Sequence, residues 1–187
     1  MGCVITDIEG AIYCDNKEAE TGGLKDTISI FQHQDVLTYP VYSTTIATNG
    51  TTTVSEALIT ANAAIIMKPL KKPLKFQVIL EKNSLSVSSE GVIFNTELKV
   101  RMQDNTHNRG LSSAIIKNKF TAEFREDNGQ SRLIGQSDNT STGYLAMVKT
   151  GSYKEEIQEG LNGERYIEFI IMAKRYQPVN YNFPITY

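Results

Sequence analysis

The two histidines of the chain, His33 and His107, are the first side chains to consider for catalysis or metal binding. Asp35 stands beside His33, but neither histidine has a cysteine, a second histidine or a further carboxylate at the spacing of metal ligands. The sequence also lacks the Gly-x-Ser-x-Gly, Walker A and dinucleotide-binding patterns. The chain therefore predicts a protein that is not an enzyme and holds no cofactor and no metal.

Adjacent carboxylates occur at Glu126-Asp127 and at Glu155-Glu156. Glycoside hydrolysis requires two carboxylates that face each other across the scissile bond. Both pairs lie near predicted turns, and the chain has no tryptophan to stack on a sugar. We interpret both pairs as solvated charge.

The basic residues cluster once, at Lys68, Lys71, Lys72 and Lys75, in a segment that Pro69 and Pro73 interrupt. Since proline cannot donate to a strand ladder, this segment is predicted to be an exposed loop. A nucleic-acid surface usually combines such charge with aromatic side chains, which are scarce here, and the net charge is −2. A solvated or partner-facing loop is the favoured interpretation.

Length and composition predict a single domain over residues 1–187, because 40% of the residues are hydrophobic. The start, Met1-Gly2-Cys3, fits a myristoylation pattern, but no polybasic segment follows, so we interpret it as a first strand. A secretory signal and a membrane anchor are not expected, because no basic leader and no run of about eighteen apolar residues is present. Cys3 and Cys14 are expected to be free buried thiols, although a pair between them stays open.

The spacing of apolar residues predicts a mainly β protein with one short helix. Residues 94–102 alternate, with polar Asn95, Glu97, Lys99 and Arg101 on one side, which indicates a strand with one buried face. Helical spacing follows at residues 111–118. The two-residue period then returns, and Asn128-Gly129 predicts a hairpin between residues 120–124 and 132–135.

The remaining elements are predicted to be strands as well. Residues 76–81 and 85–89 are expected to pair through a turn at residues 82–84. The tyrosine-rich tail from Gln177 is expected to be extended and packed. Further strands are predicted at residues 3–8, 11–14, 27–31, 144–150 and 165–173, and in a hairpin over residues 43–60 around Asn49-Gly50.

This order of a long strand, a short helix and an Asn-Gly hairpin, followed by a last hairpin, resembles the tail tube proteins, or major tail proteins, of tailed bacteriophages. The resemblance covers residues 75–175. It implies an antiparallel β-barrel or sandwich that forms hexameric rings, which stack into the hollow tail tube of the virion. Such a tube conducts the genome at ejection without binding DNA specifically. It is assembled in the bacterial cytoplasm, and its other partners are tail proteins such as the sheath, tape measure and terminator.

Two other interpretations remain open. One is a neck, connector or tail-terminator ring protein of a phage, and the other is a secreted carbohydrate-binding β-sandwich. In a ring, the hairpin over residues 43–60, the basic loop and one or both termini are expected at subunit contacts. The lysines would then face a negative patch formed by Glu155, Glu156 and Glu159.

The charge of the inner wall gives a further expectation. Duplex DNA carries a charge about every 1.7 Å along its axis, so a basic wall would hold the moving polymer. A conduit therefore needs a neutral or acidic lumen. The polar residues of the long strand nearly cancel, and the candidates for additional negative charge are Glu123, Glu164 and Glu168.

Overall fold

The computed structural model describes eleven stretches of the chain. These are residues 24–40, 42–49, 52–61, 63–79, 82–91, 93–126, 129–135, 145–157, 165–175, 178–181 and 183. The predicted strands at residues 3–8 and 11–14, both cysteines, Glu159 and Glu164 lie outside the described residues.

The mainly β class with one α-helix is confirmed for the described part of the chain. The helix, α1, spans Thr106–Ile116, and a single 3-10 turn spans His33–Asp35. The strands are β1 Leu24–Gln32, β2 Val36–Thr38, β3 Tyr42–Asn49, β4 Thr52–Ala61, β5 Ile66–Met67, β6 Leu74–Gln77, β7 Ser84–Glu90, β8 Ile93–Gln103, β9 Phe120–Glu126, β10 Ser131–Ile134, β11 Met147–Val148, β12 Lys154–Ile157, β13 Arg165–Arg175 and β14 Val179–Asn180.

The strands form an open sandwich. A seven-stranded sheet runs in the order β3-β4-β14-β10-β9-β1-β6, and a five-stranded sheet runs β11-β13-β8-β7 with β12 also paired to β13. Two corners link the sheets: Ile79 N donates to Arg101 O at 2.8 Å, and Phe120 and Ala146 exchange bonds of 3.0 and 2.8 Å. The described strands close no barrel, so the sandwich alternative of the prediction is the one observed.

The main core lies between the two sheets. Leu98, Val100 and Met102 of β8 point inward, as the alternation predicts, and pack with the inward residues of β13, β1 and β9. Ile115 of α1 completes this cluster. Burying each large apolar side chain contributes about 1.5–3 kcal/mol relative to leaving it exposed, so this layer is the main stabilising feature.

A second apolar cluster covers part of the outer face of the seven-stranded sheet. The small β2–β5 sheet contributes Val36 and Met67, and the C-terminal segment contributes Tyr181, which is fully buried. Ile65 N donates to the Tyr181 hydroxyl at 3.1 Å, and burial raises the pKa of that hydroxyl above its ordinary value of 10.0. The expectation that the aromatic tail packs on the domain is confirmed for these residues.

The predicted start of the helix is wrong. We expected residues 111–118, whereas α1 begins five residues earlier, at Thr106. The Asn105 side chain accepts a hydrogen bond from Asn108 N at 2.8 Å, and this cap fixes the first turn. Gly110 lies inside the helix, ahead of the predicted start.

The predicted pairing of residues 76–81 with residues 85–89 is also wrong. β6 pairs with β1, and β7 pairs with β8, so the two strands belong to different sheets. The side chain of Asn83 donates to Ile79 O at 2.6 Å and accepts from Arg101 N at 2.8 Å. These bonds tie Asn83 to both sides of the corner at Ile79 and Arg101.

A substitution at Gly135 tests the Phe120–Ala146 corner. Gly135 has φ +76°, and an added Cβ would lie 2.3 Å from Ala146 N and 2.8 Å from Phe120 O. We expect Gly135→Ala to lower the free energy of unfolding by about 2–4 kcal/mol, from backbone strain and overpacking together. Urea denaturation measures this loss.

Gly151→Ala is the matched control. Gly151 has the same φ of +76°, but no atom lies within 4 Å of an added Cβ. Backbone strain alone should cost about 1–2 kcal/mol there. Equal losses at the two positions would contradict a tight corner at Gly135.

Candidate assembly and conduit surfaces

The outer face of the five-stranded sheet carries the polar residues of β8. Because side chains alternate along a strand, burial of Leu98, Val100 and Met102 places Glu97, Lys99 and Arg101 on the opposite side. β8 pairs with β13 over ten opposed residue pairs, so each polar side chain has a neighbour across the strand. We call this surface the polar face.

Glu168 is the centre of the polar face. It lies opposite Arg101, and its Oε2 accepts from Arg101 Nε at 3.0 Å and from an Arg101 terminal nitrogen at 2.7 Å. Lys99 Nζ lies 3.2 Å from Oε1. Burial acts to raise the pKa of Glu168, but the bonds from Arg101 and Lys99 outweigh it and hold the pKa below the ordinary 4.5.

An aromatic side chain extends this network toward β12. The Arg101 guanidinium lies 4.0 Å from the centre of the Tyr166 ring, within the range of a cation–π contact. The Tyr166 hydroxyl donates to Glu156 of β12, and this bond raises the pKa of Tyr166. Arg101 is thus held from two sides, by a carboxylate and by a ring.

The acidic pair Glu155-Glu156 is exposed, as expected of solvated charge, but it lies in β12, a strand that the sequence patterns do not predict, and not at a turn. Glu155 accepts from the Tyr153 hydroxyl at 2.5 Å and lies 3.7 Å from an Arg109 nitrogen. The proposed negative patch is therefore partly neutralised by its own neighbours. Glu126 of the other pair lies 2.9 Å from Arg132 Nε.

The polar face is close to neutral. Its outward charges on described residues are five cations and four anions, so their net charge is +1. They are Lys99, Arg101, Lys149, Lys154 and Lys174 against Glu90, Glu97, Glu156 and Glu168. Several are directly paired, as Lys149 Nζ is with Glu97 at 2.7 Å.

The two described candidates for lumen acidity lie on opposite sides of the sandwich. Glu168 is on the polar face, whereas Glu123 of β9 is on the outer face of the seven-stranded sheet, where its Oε1 accepts from the Ser131 hydroxyl at 3.1 Å. One lumen wall cannot contain both faces. Both side chains are only 9% exposed, and the charge of Glu168 is offset by two cations.

The basic loop is exposed at all four lysines, as predicted, although Lys75 lies in β6. The loop is anchored to the 3-10 turn, because Lys71 pairs with Asp35 at 3.1 Å and Lys68 Nζ donates to Gln34 O at 2.6 Å. Its tip presents Leu70, which is fully exposed at φ +63°.

The histidines have separate environments. His33 Nδ1 lies 2.8 Å from the Tyr39 hydroxyl, and burial raises the pKa of Tyr39 to about 12. His107 is exposed in the first turn of α1. Among the described residues, no group of three or more His, Cys, Asp or Glu side chains is placed to hold a metal ion.

Two backbone features provide pairing surfaces. The β3–β4 hairpin joins the described sheet through one parallel pair, Asn180 with Thr60. β7 is the edge of the five-stranded sheet, and within the described chain its other side has no strand partner. β7 contains four serines and no proline or lysine, and most of its side chains are exposed.

Comparisons of the chain with protein-family models, with curated proteins and with solved structures found no match. No helix in the described regions is long and apolar enough to cross a membrane. The functional assignment therefore depends on the surfaces just described.

Removing the Glu168 charge tests the network on the polar face. Since the folded pKa is lowered, the charge stabilises the protein above about pH 4.5, and this contribution is lost as the pH falls through the folded pKa. We expect Glu168→Gln to cost about 1–3 kcal/mol of unfolding free energy at pH 7, with the difference from wild type shrinking below pH 4.5. Denaturant titrations across this pH range measure both effects.

Glu90→Gln is the control, because Glu90 is exposed at the end of β7 and makes no ion pair with the described residues. It should leave stability nearly unchanged at every pH. A Glu168→Gln cost that does not depend on pH would show that shape, not charge, matters at this position.

Proposed function

We propose that this chain is a structural, non-catalytic virion protein that forms hexameric rings and stacks them into the tail tube of a bacteriophage. The observation that carries the proposal is the exposed β7 edge of an open sandwich whose adjoining outer face is close to neutral. The proposed partners are copies of the chain and other tail proteins, with DNA passing through the lumen.

The β7 edge supports self-association by strand pairing. Exposed edges pair readily with other strands, and proteins that remain monomeric commonly block them with lysine, proline or bulges. β7 is seven residues long and has only Glu90 as a charged residue. Pairing of β7 with a different surface of the next copy is a heterologous contact, which closes into a ring when the rotation allows it.

The β3–β4 hairpin supports contacts beyond one ring plane. Its strands are eight and ten residues long, and its link to the rest of the described sheet is at Asn180 and Thr60. We propose that the β3–β4 hairpin packs against a neighbouring subunit.

The polar face supports a conduit. A wall rich in unpaired lysine and arginine would bind duplex DNA by releasing counterions, whereas this face pairs Arg101 and Lys99 with Glu168 and Lys149 with Glu97. Three serines of β7, Ser84, Ser86 and Ser88, continue the same face without charge. We propose that this face lines the lumen.

A neck or terminator ring protein could use the same β7 edge for its subunit contacts. Stacking of the rings distinguishes a tube protein from this alternative. A tube protein is expected to give six-fold rings and stacked tubules at raised concentration. Native mass spectrometry measures the copy number, and negative-stain microscopy shows whether rings stack. Single rings at all concentrations would favour the alternative, and a monomer throughout would contradict both.

A lysine on the edge strand tests the pairing surface. Ser88→Lys places a charge on exposed β7, which should oppose pairing without disturbing the core. We expect ring formation to fall at least tenfold, which corresponds to about 1.4 kcal/mol, while the circular dichroism spectrum stays that of wild type. Size-exclusion chromatography with light scattering measures the assembled fraction.

Ser113→Lys provides the matched control. Ser113 is exposed on α1, so the same change in side chain and charge is made away from β7. This variant should assemble as wild type does. Normal assembly of Ser88→Lys, or an equal loss in both variants, would remove β7 from the proposed ring contact.

A further inference from the structure

A groove of about 310 Å³ lies on the outer face of the seven-stranded sheet, where β6, β1 and β9 run side by side. Ser29 and Glu123 form its floor. Exposed Lys75 and Arg125 and partly buried Phe183 also line the groove, and we call these three residues its mouth. The groove is on the other side of the sandwich from the polar face.

Strand register brings these side chains into one row. Burial of Phe120, Ala122 and Phe124 in the core places Glu123 on the outer side of β9. Ser29 of β1 lies directly opposite Glu123 on one side and opposite Lys75 of β6 on the other. Opposed side chains on one face have Cβ atoms about 4.5–5.5 Å apart, so a ligand can contact more than one of them.

The floor holds two mostly buried oxygen-bearing side chains whose hydrogen-bonding capacity the described residues fill only in part. Glu123 is 9% exposed and Ser29 is 6% exposed. The Ser131 hydroxyl is the hydrogen-bond donor that the described residues supply to Glu123, and no lysine, arginine or histidine nitrogen among them lies within 4.0 Å of its carboxylate. The Ser29 hydroxyl has no hydrogen-bond partner within the described chain. Buried carboxylates are normally paired, so this pair of oxygens forms a site for a cationic donor.

The mouth has the opposite charge. Lys75 and Arg125 are both exposed, and Arg125 Nε lies 3.4 Å from the Ser131 hydroxyl. A simple cation would be repelled at the mouth, and a simple anion would be repelled by Glu123. A molecule with both charges matches the groove.

We propose that this groove binds a compact zwitterion, a primary ammonium joined by a short chain to a carboxylate, of which amino acids are the simplest members. The ammonium donates to Glu123 and Ser29. The carboxylate lies between Lys75 and Arg125, and Phe183 covers the connecting carbons. The site is independent of the β7 edge and adds a ligand to a protein proposed above as structural.

Ligand-observed NMR and calorimetry on the full chain test the site. The probes are glycine and 4-aminobutyrate as zwitterions, with methylammonium and acetate as single charges. At least one zwitterion should bind at millimolar concentration or below, and more tightly than either single-charge probe. Glu123→Gln should weaken it at least tenfold, and Ser29→Ala should weaken it by a smaller factor.

Two further variants separate the floor from the mouth. Lys75→Met should weaken the zwitterion without weakening methylammonium, because it removes only the partner of the carboxylate. The control Glu90→Gln lies on exposed β7, outside the groove, and should leave the affinity of every probe unchanged. Absence of binding by every probe, methylammonium binding as tight as that of the zwitterions, or unchanged affinity in Glu123→Gln would each overturn the proposal.

Discussion

The pairing of β8 with β13 is the constraint on which the rest of the structure depends. Two eleven-residue strands opposed over ten residue pairs decide both surfaces of the five-stranded sheet at once. Their inward residues form half of the main core, and their outward residues must be polar to meet solvent or a partner. A register slip of one residue would place Arg101 in the core and Val100 outside, so the hydrophobic layer also fixes the ionic pairs.

The ionic pairs then determine what this surface presents. An exposed pair such as Lys149 with Glu97 contributes little to stability, typically about 0–1 kcal/mol. The buried carboxylate of Glu168 contributes more, and it also offsets charge, because it pairs with both Lys99 and Arg101, while Tyr166 covers the Arg101 guanidinium. A sheet with many cations is thereby close to neutral. Composition alone shows the residues of this surface but not their pairing.

Sequence patterns predict an element when the signal, such as the period of its apolar residues or a turn dipeptide, lies within the element itself. The alternation of residues 94–102 predicts β8, and the strand expected at residues 165–173 corresponds to β13. The hairpin between β9 and β10 follows from the Asn-Gly turn and the two-residue period. The helix start was missed because it depends on one side chain, Asn105, and β6 was paired wrongly because its partner β1 is distant in sequence. The floor of the groove could not be predicted at all, since Ser29 and Glu123 meet only through the register of two strands 94 positions apart in the chain. The phage-tail function is proposed from the resemblance together with the β7 edge and the polar face.

The two outer faces of the sandwich differ in how far their charges are satisfied. On the polar face, neighbours within the subunit pair most of the charges. Across the core, Glu123 is as buried as Glu168, yet among the described residues no cationic nitrogen pairs with its carboxylate. Within one subunit, β7 and the groove belong to different sheets. A face whose charges are mostly paired and sum to only +1 suits sliding contact with a charged polymer better than an unpaired basic wall does. A buried, incompletely paired carboxylate instead suits a ligand that remains bound.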